Sequence, residues 1–235
     1  MADGITSTLR RRVRASGRRY WTTAELRGDH DGNSSALRVA ISRLVNDGEL
    51  RRVRRGVYWH GGRMSDGRLA TKPVRSAATT ARALVDGVTF GAAEWQATNA
   101  LGLSTQLAAM ETIAVSGRPP RPVPGIKFID RSGRKGRNHF SLSEREVTFL
   151  EALDGWDRFV EVPGQEAVDR LVGVLNDGSV RSTALARASS TEPAAVRERL
   201  RLVLEAAGRT ADARSVPRAV DKRTRDRALL GLRLD

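Results

Sequence analysis

Residues 34–60 read SSALRVAISRLVNDGELRRVRRGVYWH and contain two consecutive patterns of apolar and basic residues. Its first half carries apolar residues spaced three and four apart, namely Leu37, Ala40, Ile41, Leu44 and Val45. That spacing predicts an amphipathic helix over 34–47. The second half predicts two short strands, 49–54 and 57–59, joined by a tight turn at Gly56. The stretch therefore predicts a helix with one buried stripe, followed by a basic two-stranded ribbon.

The residues before this stretch predict two more helices. Apolar residues at intervals of four favour a helix over 5–16, and Tyr20–Trp21 is a short extended patch. Thr22 and Glu25 have the spacing of a capping box, which predicts a short second helix. A helix, a short capped helix, a turn, a patterned helix and a basic hairpin, in that order, form the layout of a winged helix-turn-helix. We expect this domain over residues 1–72.

Positive charge is concentrated in the first third of the chain. The formal net charge is +14; residues 1–75 hold 17 Lys/Arg against 7 Asp/Glu, whereas residues 76–235 hold 24 against 20. Only four basic residues are lysine, as the codon usage of a GC-rich genome would produce, but codon usage does not explain the excess at one end. A basic footprint of this kind is typical of proteins that bind a polyanion. We therefore expect double-stranded DNA as the partner.

The candidate DNA-binding residues lie on the helix face opposite the apolar stripe and on the ribbon. The helix contributes Ser35, Arg38, Val39, Ser42, Arg43 and Asn46, and the ribbon contributes Arg51, Arg52, Arg54 and Arg55. Serine and asparagine bond base edges or phosphates, arginine forks onto guanine, and an exposed valine can meet a thymine methyl. The ribbon suits phosphate contact or insertion into a narrow minor groove. The first helix adds Arg10, Arg11, Arg12 and Arg14, some of which we expect to face the DNA backbone. The open alternative is a winged-helix module used for protein contacts.

The rest of the chain predicts a second domain of the α/β class. A Gly-rich connector over 60–73 is the best domain boundary, and residues 73–208 then alternate between helices and short strands. We expect strands near 88–90, 112–115 and 126–130, and helices near 76–85, 93–101, 144–153, 165–175, 180–188 and 192–207; Ser143 and Glu146 make a second capping box. The fold class is therefore helix-dominated α/β: a winged helix-turn-helix plus a C-terminal α/β domain with a small mixed sheet. Residues 209–235 are basic and weakly patterned, which predicts a tail or a peripheral helix.

Three motifs carry a resemblance to a known family. Arg55-Gly56-Val57-Tyr58 closes the ribbon, Leu101-Gly102-Leu103-Ser104-Thr105-Gln106 follows a small-residue segment, and the strand at 126–130 leads into a basic Gly-containing stretch, 131–137. With these motifs the sequence resembles, over roughly residues 5–205, the AbiEi antitoxins of type IV toxin–antitoxin systems. The resemblance implies a bacterial repressor that binds repeats in its own promoter. It also implies an antitoxin that counteracts a nucleotidyltransferase-like toxin encoded alongside, without requiring a stable complex.

The composition excludes several kinds of chemistry. The chain has no cysteine, and its three histidines, His30, His60 and His139, are far apart in sequence. Thiol nucleophiles and zinc ribbons are therefore excluded, and we expect no metal, no cofactor and no enzyme activity. No apolar run reaches the ~18 residues of a membrane span, and the first residues lack the layout of a signal peptide. We expect a soluble, cytoplasmic protein associated with the nucleoid.

Two weaker signals in the sequence have structural interpretations that require no function. The stretch 132–137 is rich in glycine and basic residues, but it lacks the spacing of a phosphate-binding loop, so we predict a solvated basic hairpin tip that can still touch DNA. The run 183–208 can form a second helix-turn-helix or two packed core helices. Its second helix shows Glu198, Arg199, Arg201 and Glu205, which are mixed in sign and argue against DNA binding.

Two other functions stay open on the sequence. The first is a stand-alone winged-helix regulator whose C-terminal domain senses a ligand or oligomerises. The second is an enzyme that modifies nucleic acid, for which Asp130 at a strand end has no obvious partner. A nucleotidyltransferase gene immediately downstream favours the antitoxin, whereas metal-dependent DNA cleavage favours the enzyme.

Overall fold

The structure is a computed structural model that describes residues 2–16, 20–28, 34–60, 81, 84–85, 87–106, 108–121, 125–230 and 232. The chain divides into two compact units, Met1–Asp86 (unit 1) and Gly87–Asp235 (unit 2). The boundary that the sequence predicts, between residues 72 and 73, lies outside the described residues, as does most of the helix expected over 76–85. Helices dominate both units and each unit has a small sheet, so the helix-dominated α/β class is confirmed.

Unit 1 consists of helices and a three-stranded antiparallel sheet. Its elements are α1 (Ala2–Ala15), β1 (Tyr20–Thr22), α2 (Thr23–Arg27), α3 (Ser34–Asn46), β2 (Leu50–Arg54) and β3 (Val57–His60). The strand order is β1-β3-β2, so β3 is central and β2 lies at an edge. The predicted capping box at the start of α2 is confirmed: the Thr22 side chain accepts from the Glu25 amide at 3.1 Å, and Glu25 accepts from the Thr22 amide at 2.7 Å.

The core of unit 1 lies between the helices and one face of the sheet. Its buried side chains are Leu9, Val13, Trp21, Leu26, Leu37, Ala40, Ile41, Leu44 and Leu50. Four of the five residues of the predicted α3 stripe are in this set, and Val45 packs against it half-buried. Burying such side chains is the main force that holds a short helix in place. The orientation of α3 about its own axis is therefore fixed by the stripe.

Unit 2 consists of a small mixed sheet and a larger set of helices. The strands are β4 (Phe90–Ala92), β5 (Glu111–Val115) and β6 (Ile126–Asp130), and the helices are α4 (Trp95–Ala100), α5 (Lys135–His139), α6 (Glu144–Asp154), α7 (Trp156–Phe159), α8 (Gly164–Asn176), α9 (Ser182–Ala188), α10 (Ala194–Ala206), α11 (Thr210–Ser215) and α12 (Lys222–Ala228). β4 pairs with β5 antiparallel, and β5 pairs with β6 parallel. The predicted mixed sheet is thus confirmed, with its first strand two residues later than expected.

A glycine in β4 lets the sheet lie directly on α6. A Cβ atom at Gly91 would come within 2.7 Å of the Glu144 carbonyl oxygen and of the Thr148 amide nitrogen. The neighbouring residue of the strand is bonded to the same helix, since the Ala92 amide donates to the Thr148 hydroxyl at 3.0 Å. The backbones of β4 and α6 therefore approach too closely for any side chain at Gly91.

We expect Gly91→Ala to destabilise the protein by about 1–3 kcal/mol, the usual cost of forcing an extra methyl group into a packed interior. The matched control is Gly173→Ala, an exposed position within α8 with no atom within 4 Å of the added Cβ. That change is expected to stabilise by about 0.5–1 kcal/mol, because alanine loses less backbone entropy in a helix. Urea unfolding followed by circular dichroism measures both. Equal stability of the two variants would contradict the close approach.

The C-terminal residues are an integral part of unit 2. The sequence predicts a tail or a peripheral helix over 209–235, whereas the structure has two short helices there, α11 and α12. Ala213, Val216 and Leu232 belong to the main core cluster. The buried apolar residues of the segment in the described part of the chain are few, and three of the five, Ala213, Ala219 and Ala228, are alanines. The segment therefore has no visible periodicity.

Candidate nucleic-acid interface

The outward face of α3 is polar and basic. Its six predicted site residues, Ser35, Arg38, Val39, Ser42, Arg43 and Asn46, are all exposed, and Val39 keeps 45% of its surface open to solvent. At 3.6 residues per turn the serines, Val39 and Asn46 lie opposite the buried stripe, and the two arginines flank them. The structure thus brings together on one helix face the residues that the sequence assigns to it.

The β2–β3 hairpin holds the second group of predicted residues. Arg51, Arg52 and Arg55 are exposed, while the Arg54 side chain lies outside the described part of the structure. Arg51 is paired in register with Trp59, and Arg52 with Tyr58. Because successive residues of a strand alternate between faces, the two arginines project from opposite sides of the ribbon.

The turn of the hairpin is tied to the start of α2. Gly56 has a φ of +80°, a left-handed conformation that favours glycine. Its carbonyl oxygen accepts from the Thr23 amide at 2.8 Å and from the Thr23 hydroxyl at 3.3 Å. The position of the hairpin relative to the helices of unit 1 is therefore fixed by hydrogen bonds at its tip.

Two of the α1 arginines are engaged in structural ion pairs. Arg10 lies 2.5 Å from Asp47 and 2.7 Å from Glu49, and Arg14 lies 2.8 Å from Glu49. Glu49 is buried, so these pairs fix α1 to the turn that follows α3. Arg12 lies over the Trp21 ring, 5.9 Å from its centroid. Arg10 and Arg14 thus neutralise acids of their own unit, whereas Arg11 and Arg12 are exposed. That some of the α1 arginines face a DNA backbone stays a prediction.

The prediction of a solvated basic tip at 132–137 is wrong. Arg134 is buried and Arg137 has no exposed surface. Arg137 forms a bidentate pair with Glu192 at 2.7 and 2.9 Å and donates to Glu151 at 2.7 Å. Arg134 donates to the same two glutamates and, at 2.8 Å, to Asp154. With Arg131, which pairs with Glu151 and Asp154, these side chains form a network of three cations and three anions.

Close packing explains why this stretch cannot be a surface loop. A Cβ atom at Gly136 would clash with the carbonyl oxygen of Ala188. The Gly136 amide donates to the Thr191 hydroxyl at 3.0 Å. α5 therefore lies directly against the junction between α9 and α10, which buries the guanidinium groups beside it. These groups are occupied by partners within unit 2 and do not form an anion-binding loop.

The ion network favours the charged forms of Glu151, Arg137 and Arg131. Burial alone would raise the pKa of Glu151, but the hydrogen bond from Arg131 and the charges of Arg137, Arg131 and Arg134 outweigh burial and lower it. Burial would likewise lower the pKa of Arg137, but the hydrogen bond to Glu192 and the charges of Glu192 and Glu151 raise it. The pKa of Arg131 is also raised against burial, by its hydrogen bond to Glu151 and the nearby carboxylates. Each of these pKa shifts reflects the stabilisation of a charged side chain by its ion-pair partners.

The possible second helix-turn-helix over 183–208 does not present a reading face. Glu198, Arg199 and Arg201, which the sequence places on its outer side, are all buried. Arg199 donates to the Ala228 carbonyl at 3.0 Å and to the Leu153 carbonyl at 2.8 Å. The face is covered by residues 213–228, and the pair of helices belongs to the core.

The motif at 101–106 is a structural junction. Leu103 is fully buried; its amide donates to the Thr98 carbonyl at 2.7 Å and its carbonyl accepts from the Glu161 amide at 3.0 Å. The Ser104 hydroxyl donates to the Glu161 carboxylate at 2.8 Å. The motif thus fixes the end of α4 to residues 160–162.

The two histidines in the described part of the chain, His60 and His139, have separate structural contacts and do not form a metal site together. His30 lies outside the described residues. His60 approaches the Glu49 carbonyl through Nδ1 at 2.9 Å, and His139 stacks edge-on against Phe140 with centroids 4.6 Å apart. In the described part of the chain, no group of three or more His, Cys, Asp or Glu residues is arranged to hold a metal ion. Over the same residues, no helix combines the length and apolar character of a membrane span.

Comparison with known proteins finds a distant likeness in structure. No protein-family model matches the sequence, and no curated protein sequence matches it. The chain is similar in structure to the RV2827C protein from Mycobacterium tuberculosis, a crystal structure. The two share 17% identity, the match covers 94% of this chain and 82% of the other, and the TM-score is 0.47. A likeness at this level carries no argument about function.

Proposed function

We propose that unit 1 is a winged helix-turn-helix that binds duplex DNA with α3 in the major groove. One observation carries the proposal: α3 buries its apolar stripe and presents serine, asparagine and arginine on its outer face, beside an arginine-rich hairpin. The major groove admits one helix and displays hydrogen-bond donors and acceptors. A face of short polar and forked basic side chains is complementary to it.

The two parts of this surface would have different tasks. Arg38 and Arg43 can fork onto the two acceptors of guanine, Asn46 onto adenine, and Val39 can contact a thymine methyl. The hairpin arginines would contact phosphates, which fixes the register of the protein on the duplex without reading sequence. Such a division predicts that α3 sets specificity and the hairpin sets overall affinity.

We further propose that the protein is a transcriptional repressor and antitoxin of the AbiEi type. The support is the resemblance of three motifs, at 55–58, 101–106 and 126–137, to those of that family. In this role it would act in the cytoplasm on the nucleoid, repress its own operon at promoter repeats and counteract a nucleotidyltransferase-like toxin. It would need no cofactor and no stable complex with the toxin.

Footprinting of the full chain on the DNA upstream of its own gene tests DNA binding. The expected result is protection of two or more repeats, with the coding sequence of the same gene unprotected. Uniform weak protection of both fragments would contradict sequence-specific repression. For the antitoxin role, the test is growth of cells that express the adjacent nucleotidyltransferase, and failure of the full chain to restore growth would contradict it.

The hairpin arginines are expected to act through phosphates. Replacing Arg52 and Arg55 with alanine should weaken binding to all duplexes. The negative slope of log affinity against log salt should become shallower, by about 0.9 for each phosphate that is no longer neutralised. The matched control removes two exposed arginines of unit 2, Arg158 and Arg187, and should leave the slope nearly unchanged. A fall in affinity with an unchanged slope would show that the hairpin acts through bases or through folding.

A further inference from the structure

The net positive charge of unit 2 comes from its C-terminal segment. Residues 87–208 hold 15 Lys/Arg and 15 Asp/Glu, so they carry no net charge, whereas residues 209–235 hold 8 Lys/Arg against 4 Asp/Glu. The arginine-rich composition of the whole chain does not explain this separation, because the larger part of the unit is balanced. The excess needs a cause that is specific to the segment.

The segment is a folded surface that is held by buried charged side chains of α10. Glu198 accepts from the Ala219 amide at 2.5 Å, and Arg201 donates to the carbonyls of Ala213 at 2.9 Å and Val216 at 3.3 Å. Charged groups form stronger hydrogen bonds than neutral ones, and here they lie in the core. The backbone of the segment is thus fixed at several points, so its outer side is presented by a defined scaffold.

The outer side of the segment is mostly basic. The exposed basic residues are Arg209, Arg214, Arg218, Lys222, Arg223 and Arg227, and the exposed acids in the described residues of the segment are Asp221 and Asp226. Asp221 is used locally: it caps α12 by accepting from the Thr224 amide and hydroxyl at 2.8 and 2.7 Å. The hydrogen bonds from Thr224 lower the pKa of Asp221, so it stays ionised as a cap.

The chemistry of this surface favours a phosphate backbone over a lipid interface or a protein partner. Its exposed large apolar side chains in the described residues are Val220 and Leu230, which flank α12, while the exposed positions within α12 are all charged. A helix that lies in a lipid interface needs an apolar face, and the centre of a protein interface is usually depleted of charge. Guanidinium groups pair well with phosphates without any apolar contact.

We propose that the outer side of residues 209–227 is a second nucleic-acid contact, which binds the phosphates of duplex DNA irrespective of sequence. The proposal rests on the DNA-binding function proposed for unit 1 and adds a partner for unit 2. It assigns to this surface the positional contacts that increase affinity without reading bases. Its contribution is therefore the same on operator and on unrelated duplex.

The test compares three forms of the full chain on an unrelated duplex as salt is varied. The first is unchanged, the second carries Arg218→Gln, Lys222→Gln, Arg223→Gln and Arg227→Gln, and the third carries Arg118→Gln, Arg121→Gln, Lys135→Gln and Arg187→Gln. The third is the matched control, since it removes the same charge from exposed positions of unit 2 outside the segment. Circular dichroism checks that all three are folded.

In the second form, the negative slope of log affinity against log salt should become shallower, by about 0.9 for each phosphate that is no longer neutralised. In the third form, the slope should stay unchanged. Unchanged slopes in both variants, with normal binding by the unchanged chain, would overturn the second contact and leave the function of unit 1 standing. Equal falls in both variants would overturn a localised surface. Absence of duplex binding by the unchanged chain would overturn both proposals.

Anionic phosphatidylserine vesicles form a further arm of the same experiment. The expected result is that the second form and the unchanged chain behave alike on vesicles. Loss of vesicle binding in the second form, with unchanged duplex binding, would overturn the proposal and identify a lipid surface instead.

Discussion

Replacing Arg38, Ser42 and Arg43 together with alanine is expected to abolish the preference of the full chain for the DNA upstream of its gene over a scrambled duplex. Each good contact to a base edge is worth about 1–3 kcal/mol of discrimination, and about 1.4 kcal/mol is a factor of ten. Removing two such contacts lowers the preference by roughly 30-fold or more. Competition binding with the two duplexes at one salt concentration measures the effect.

The fold is expected to survive this triple change, because all three residues are exposed and lie off the buried stripe of α3. The matched control replaces Ser7, Arg11 and Arg27, which are one serine and two arginines on exposed positions of α1 and α2. It removes the same charge from the same unit but leaves α3 intact, so discrimination should persist. Equal discrimination by both triple variants would contradict the role of α3.

The second large effect concerns the ion network of unit 2. Glu192→Gln should destabilise the protein by about 3–5 kcal/mol, the usual cost of removing one partner of a buried pair. Glu192 has no exposed side-chain surface and accepts from both Arg137 and Arg134, so the change leaves buried positive charge without its counter-charge. Urea unfolding followed by circular dichroism, which reports chiefly on the helices, measures the change in stability.

Two further variants separate charge imbalance from other causes. Glu166→Gln breaks an exposed pair with Arg170 on α8 and should cost no more than about 1 kcal/mol. Combining Arg137→Met with Glu192→Leu removes one charge of each sign, so it should cost less than Glu192→Gln alone. If the double change costs as much free energy of unfolding as the sum of Arg137→Met and Glu192→Leu made separately, the network does not act as a coupled unit.

The parts of the fold that the sequence predicts are those governed by local rules. The stripe of α3 is an example, because an amphipathic helix repeats its burial every three to four residues and any window of the sequence shows it. The capping boxes at Thr22 and Ser143 are equally local, with both partners within three residues. The candidate face of α3 follows from the stripe, since it is the remaining side of the same helix.

The parts that the sequence misses depend on distant partners. Arg134 and Arg137 resemble a solvated turn because their acids, Glu151 and Glu192, lie 14 to 58 positions away. A signal is present nonetheless: arginines at 131, 134 and 137 are spaced by three, which would place them along one side of a helical turn. Acids three apart at 151 and 154 have the same spacing. The packing of the C-terminal segment into unit 2 is missed for a different reason. Most of its buried apolar residues are alanines, which give little hydrophobic contrast along the sequence.

In our proposal the outer face of α3 and the β2–β3 hairpin form the surface of unit 1 that contacts DNA. Chemical-shift mapping of backbone amides, during titration with the duplex upstream of the gene, tests this most directly. Within unit 1 we predict shifts concentrated at residues 35–46 and 51–55, and within unit 2 we predict that the amides of the buried ion network around Arg137 stay unmoved. Binding of the duplex with shifts confined to other residues, and none along α3, would contradict the proposal.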